Sequence, residues 1–159
     1  MKDFEKLREQ TIGKNNIILE KFESHLKKQG LTQKTIYNHL NNVSFYVNDF
    51  LINRMTFEDD NGNFIMPDAI DGVEIELVDE FLGNFFIRKC MWSTESTIKS
   101  NITSFRKFYT FLKKEGLIDK IDLKYLKDGI KELKDDWIRK VNLYNNPNID
   151  FDDIMEEFF

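Results

Sequence analysis

Apolar residues recur with helical spacing along almost the whole of this 159-residue chain. Residues 17–19, Phe22 and Leu26 mark one face of a helix over about 14–28, which Gly30 stops. Ile36, Leu40, Val43, Val47 and Phe50 mark a second helix running to about 52, with the Thr32 hydroxyl suited to cap its first amides. The pattern breaks over 53–74. Leu77, Val78, Phe81, Leu82, Phe85 and Phe86 predict a third helix from about 76. Ile98, Ile102, Phe105, Tyr109 and Leu112 predict a fourth, capped by Ser93 or Thr94 and ending at Gly116. Leu126, Ile130, Leu133, Trp137 and Val141 predict a fifth, in which Gly129 costs about 1 kcal/mol of propensity.

The two remaining stretches read differently. Within 53–74, Asn61-Gly62 is a favoured pair for a tight hairpin turn, so Thr56–Phe57 and Phe64–Met66 are expected to form a short ribbon. The D-D-N-G-N run also invites comparison with a calcium loop. With Gly62 as the turn glycine, however, Phe57 falls at the first ligand position and Asp68 replaces the bidentate Glu at the twelfth, so no metal site is expected. After Pro147, Asp150 suits the cap of a final short helix carrying Phe151, Ile154, Met155, Phe158 and Phe159 on one side. A helix that short does not hold in water by itself. Its apolar edge must dock on its own core, on a second copy or on a partner protein.

The chain also repeats itself. A shift of 62 residues lays Thr32 on Thr94, Thr35 on Thr97, Ile36 on Ile98, Leu40 on Ile102, Val43 on Phe105, Tyr46 on Phe108, Val47 on Tyr109 and Phe50 on Leu112. Shared apolar spacing is common to any two amphipathic helices. The T-x-x-T-I at both helix starts, each after a helix and a short turn, is not demanded by periodicity. A duplicated helical hairpin follows.

Composition adds a charge pattern. The net charge is −5, but it is unevenly spread: nine Lys/Arg against six Asp/Glu over 1–54, none against nine over 55–82, seven against one over 83–114, and seven against twelve over 115–159. Basic and acidic blocks therefore alternate, and a uniformly basic nucleic-acid binder is excluded. Cys90 is the only cysteine, so neither an intramolecular disulfide nor a cysteine-rich metal site is expected, and a reducing cytoplasm fits. The start MKDFEKLREQ lacks the apolar run of a secretory signal, and no stretch approaches the roughly 18 apolar residues of a membrane span. A cytoplasmic protein with no membrane partner is the expectation. No phosphate loop, metal cluster or nucleophile constellation points to an enzyme or a cofactor.

The segments "FESHLKKQGLTQKTIYNHLNNVSFYVNDFL" and "VDEFLGNFFIRKCMWSTESTIKSNITSFRKFYTFLKKEGLI" carry a family resemblance. Over roughly residues 14–118 the chain resembles the N-terminal core-binding (SAM-like) domain of tyrosine recombinases, the phage integrases. The shared features are the hydroxyl cap, T-I just after it, an apolar helix ending F-x-x-[FY]-L, and "EGLI". The resemblance implies an all-α fold of two crossed helical hairpins forming a four-helix core that clamps duplex DNA. It does not imply catalysis. The family's H-x-x-R motif lies in a separate C-terminal domain, and here His25 and His39, the only histidines, are followed three positions on by Lys28 and Asn42. Without clustered donors a pentavalent phosphate cannot be stabilised, so no recombinase activity is expected.

Helical geometry gives a cationic stripe that by itself reads equally as a solvated helix face, and the resemblance implies that it contacts DNA. At about 100° per residue, Lys99, Thr103, Arg106, Thr110 and Lys113 fall within an arc of roughly 80°, flanked by Lys107 and Lys114, and such a stripe suits a phosphate backbone. The matching face of the second helix carries Lys34, Tyr37, Asn38 and Asn41, where an Asn amide can pair with adenine. The chain thus reads as an integrase-like core-binding unit over 1–118, with an acidic connector at 53–74 and a helical extension over 119–159. Its expected role is accessory or regulatory duplex-DNA binding in integration, recombination or mobile-element control. The alternative is a protein-interaction module that keeps the scaffold and grips a partner, or a second copy, through Phe151, Ile154, Met155, Phe158 and Phe159. The acidic tail is also placed by charge to cover the basic stripe.

Overall fold

A computed structural model of the chain describes residues 2–159, which form six helices and one two-stranded ribbon. Helix α1 spans Lys2–Lys28, α2 residues 33–54, α3 residues 75–89, α4 Glu95–Lys114, α5 Lys120–Tyr144 and α6 Phe151–Glu156. The ribbon pairs β1 (Phe57–Glu58) with β2 (Phe64–Ile65), Phe57 opposite Ile65 and Glu58 opposite Phe64. The fold is predominantly helical, as the periodicity predicts, and no helix is long and apolar enough to cross a membrane.

The repeated T-x-x-T does the same work twice. Thr32 Oγ1 accepts from the Thr35 amide and Thr94 Oγ1 from the Thr97 amide, each at 3.2 Å, so Thr94 rather than Ser93 caps α4. Ser93 is buried and donates to Ile87 C=O. Beyond the caps, every residue of the repeated apolar set is buried except the half-buried Leu40.

Three local features depart from the sequence expectation. First, α1 begins at Lys2 rather than near 14. Its added turns point Thr11 inward, one turn before the buried Asn15, and Phe4 sits edge-on to Phe64 of the ribbon at 5.5 Å. A polar inner face leaves no apolar stripe to read. Second, the ribbon closes through a three-residue loop: Asp59 N–H donates to Asn63 C=O and Gly62 N–H to Asp59 C=O, with Gly62 at φ 79°. Third, α2 and α3 each widen into a π turn, over Phe45–Phe50 and Phe81–Phe85. The Leu51 amide there reaches Tyr46 C=O and the Phe86 amide reaches Phe81 C=O, five residues back in each case. The two wide turns meet through aromatic rings, with Phe50 5.0 Å from both Phe81 and Phe85.

One core joins these elements. Tyr46, Phe50, Phe81 and Phe105 lie at its centre, and α5 adds Leu123, Leu126, Ile130, Trp137 and Val141. Gly129 has a packing role: a Cβ there would run into the Ile75 side chain, so the glycine admits α3 against α5. The connector is tied in as well, since the buried Tyr46 and Tyr109 hydroxyls donate to Gly72 C=O at 2.7 Å and Ala69 C=O at 2.8 Å. Cys90 is a free, buried thiol that burial first, and Asp49 second, push up to about 11.

The C-terminal segment docks on its own chain. Ile154 is buried, Phe158 meets Tyr144 edge-on at 6.0 Å, Glu157 pairs with Arg139 at 3.0 Å, and the Arg88 guanidinium covers the Phe159 ring. Its five apolar residues therefore do not share one side: Met155 is half-buried, while Phe151 and Phe159 remain 63% and 83% exposed. The tail also does not cover the basic stripe. Among the described residues its acids make no ion pair with Lys99, Arg106, Lys107 or Lys113.

Candidate nucleic-acid interface

Helices α2 and α4 lie side by side and run in opposite directions, because His39 meets Ser104 while Asn42, further along α2, reaches back to Ser100 as well as Ser104. The seam is stitched by short polar side chains. His39 Nδ1 is 2.7 Å from Ser104 Oγ, and Asn42 Nδ2 donates to Ser104 Oγ at 3.0 Å and to Ser100 Oγ at 3.1 Å. None of the nine sequence-predicted DNA contacts is buried, but they do not share one site: Asn38 and Asn41 lie beside the seam, Arg106 and Lys107 face the end of α1, and Tyr37 lines a separate hollow with Glu23 and Lys27.

On α4 the cations are not equivalent. Lys99 is already engaged, 3.0 Å from Glu95 Oε2, and Thr103 Oγ1 donates to Lys99 C=O. Lys99 and an amide from Asn142 hold the Glu95 carboxyl below its usual range. Arg106 and Lys107, both half-buried, and the exposed Lys113 make no ion pair among the described residues. The available positive charge is thus shifted toward the C-terminal half of α4.

That half meets a residue the sequence reading set aside. His25, near the end of α1, stacks on Phe111 at 4.9 Å and lines, with Gln29, Arg106, Lys107 and Thr110, a shallow hollow of about 230 Å³. Desolvation first, then the Lys114, Lys107 and Lys28 charges, lower its pKa, against an opposing pull from Glu115. His39 is lowered by burial and by the same Lys107. Burial is the larger cause for both imidazoles, and Lys107 adds to each in the same direction. The signal was present in the sequence only as Lys27-Lys28 next to His25, on a different helix from the stripe.

At the other end of the seam lies an open cleft of about 880 Å³. It is lined by residues of α2, by Arg8 and Ile12 of α1, by Phe86 of α3, by Trp92 of the turn before α4, and by Ser100 and Asn101 of α4. Asn38 and Asn41 open into it, whereas the rest of the predicted set lies outside. The asparagines lining it come from α2 and α4, which is why no single stretch of sequence advertises them.

The buried histidine makes folding pH-dependent. Because the folded state lowers the pKa of His39, its contribution is complete above the unfolded value of 6.5 and is lost as pH falls through that value toward the folded one. Urea midpoints are expected to drop between pH 7.5 and 5.5, and to drop less in His39→Gln. An equal drop in both proteins would remove His39 as the source.

Comparison with protein-family models, curated proteins and solved structures finds no match to the chain.

Proposed function

We propose that the chain is a non-catalytic duplex-DNA-binding protein, built as two crossed helical hairpins like the core-binding domain of tyrosine recombinases, with an accessory or regulatory role in DNA integration or recombination. The observation that carries this reading is the set of cations without ion-pair partners, Arg106, Lys107 and Lys113, on the accessible side of a helix whose opposite side is core. Charge left uncompensated in an anionic chain favours an anionic ligand, and the spacing along α4 suits successive phosphates. The hairpin arrangement draws support from the matching threonine N-caps of α2 and α4, each accepting from the amide three residues on. It is also favoured by the contact between Asn42 and Ser104, positions 62 apart, since two facing copies bring equivalent residues together.

Titration of a generic duplex at several salt concentrations tests the reading. Affinity is expected to fall steeply, with a log–log slope of about −0.9 per phosphate contacted. Replacing Arg106, Lys107 and Lys113 together with alanine should flatten the slope by about 2.7, three contacts' worth. An unchanged slope would leave the stripe a solvated face. Absence of binding at low salt would favour the partner-protein reading, for which the exposed Phe151 and Phe159 are the available anchors.

A further inference from the structure

The cleft at the far end of the α2–α4 seam differs chemically from the cationic end. Its lining holds one cation, Arg8, and one anion, Asp49, amid asparagines and hydroxyls, so it offers no net charge to a phosphate. Amides instead present a donor and an acceptor together, which is the complement of a nucleobase edge.

Not all of these amides are available. Asn42 is spent on Ser100 and Ser104, Asn48 donates to Asn16, and the buried Asn101 donates to Thr97 C=O. They make a rigid frame. Asn38 and Asn41 are exposed and have no side-chain hydrogen bond among the described residues, which leaves both amides facing the opening.

The wall adds a flat apolar surface. Trp92 is held by Phe45 at 6.2 Å and Phe86 at 6.4 Å, yet remains 60% exposed. A fixed, partly bare indole is a stacking platform, and within a continuous duplex every base face is already covered by its neighbours. Only a base outside the stack can cover the indole. Arg106 and Lys107 follow Asn101 on α4 by five and six residues, a rise of about 8–9 Å and roughly 120–140° around the helix, so they meet the phosphates of a strand that leaves the cleft and passes round α4.

We infer that this cleft takes an unpaired base, stacked on Trp92 and read by the Asn38 and Asn41 amides, so that the protein prefers duplex DNA interrupted by an unpaired segment. The inference rests on the DNA-binding reading above and names the substrate class for it. The test compares a duplex carrying a central bulge of a few adenines with the same duplex uninterrupted, by affinity and by tryptophan emission. Trp137 is fully buried, so a change in emission reports Trp92.

The bulged duplex is expected to bind about tenfold tighter and to quench the emission. Trp92→Ala should abolish the preference and Asn41→Ala should reduce it, both with the salt slope intact. Equal affinities with unmoved emission would overturn the inference and leave duplex binding standing. Binding of neither DNA at low salt would remove both readings. Both substitutions are at exposed positions, and Trp92→Phe, which keeps a stacking ring, should restore most of the preference if stacking is the cause.

Discussion

Replacing Trp137 with alanine is expected to cost about 3–5 kcal/mol of folding stability, the largest loss of any single truncation in this chain. Trp137 is the largest fully buried side chain, and it projects from α5 into the core shared with α3 and α4. Truncation opens a cavity that helices fixed on three sides cannot collapse into. It also removes the donor that Asp79 Oδ1 receives at 2.7 Å, leaving a half-buried carboxylate short of a partner. Urea unfolding should show a lower midpoint with an unchanged slope, the signature of lost stability within one cooperative unit. A loss under about 1 kcal/mol would mean that α5 unfolds separately from the helices before it. Trp137→Phe, which keeps most of the volume, should cost less and isolates the hydrogen bond.

The expectation for Trp137 draws on what was legible in the sequence. The apolar stripes of α2, α4 and α5 announced themselves because each helix buries one face and exposes the other. The caps were legible because each threonine stands four residues before the first apolar position of its helix, where a hydroxyl suits the free amides of the first turn. Two features were not legible. The first half of α1 buries Thr11 and Asn15, so the usual link between burial and hydropathy is broken. The π turns of α2 and α3 are set by how Phe45, Phe50, Phe81 and Phe85 fit against each other, a tertiary demand with no local code.

The candidate interface divides along the same line. A heptad of cations on one helix is a periodic signal, and α4 was found by it. What periodicity cannot supply is pairing. Lys99 is partnered by Glu95, four residues back, and counts for less than Arg106 or Lys113, whereas His25 enters the cationic neighbourhood from α1. The asparagine cleft needs four helices and the 90–94 turn at once. Each of its residues alone is an ordinary surface amide, and only their convergence gives them meaning.

Asn15 is where the unreadable part of the fold can be tested most sharply, and Asn15→Leu is expected to destabilise the protein by about 2–3 kcal/mol despite its like branching. The Asn15 side chain, fully buried, makes three bonds to three places: Nδ2 donates to Val47 C=O at 3.2 Å and to Asn48 Oδ1 at 2.9 Å, and Oδ1 accepts from the Ala69 amide at 2.9 Å. It thereby joins α1 to the wide turn of α2 and to the connector. Leucine strands the Ala69 amide, which is buried, and removes a donor from the Val47 carbonyl. Asn15→Asp should be worse. It keeps an acceptor for Ala69 but turns oxygen toward the Val47 carbonyl and Asn48 Oδ1, and it brings a charge into a fully buried site. Hydrogen exchange at the Ala69 amide is the decisive local reading. Faster exchange there in Asn15→Leu, beyond the global loss, places the defect at this junction; exchange that tracks global stability alone would mean that the connector is held by Tyr46 and Tyr109 without help from α1.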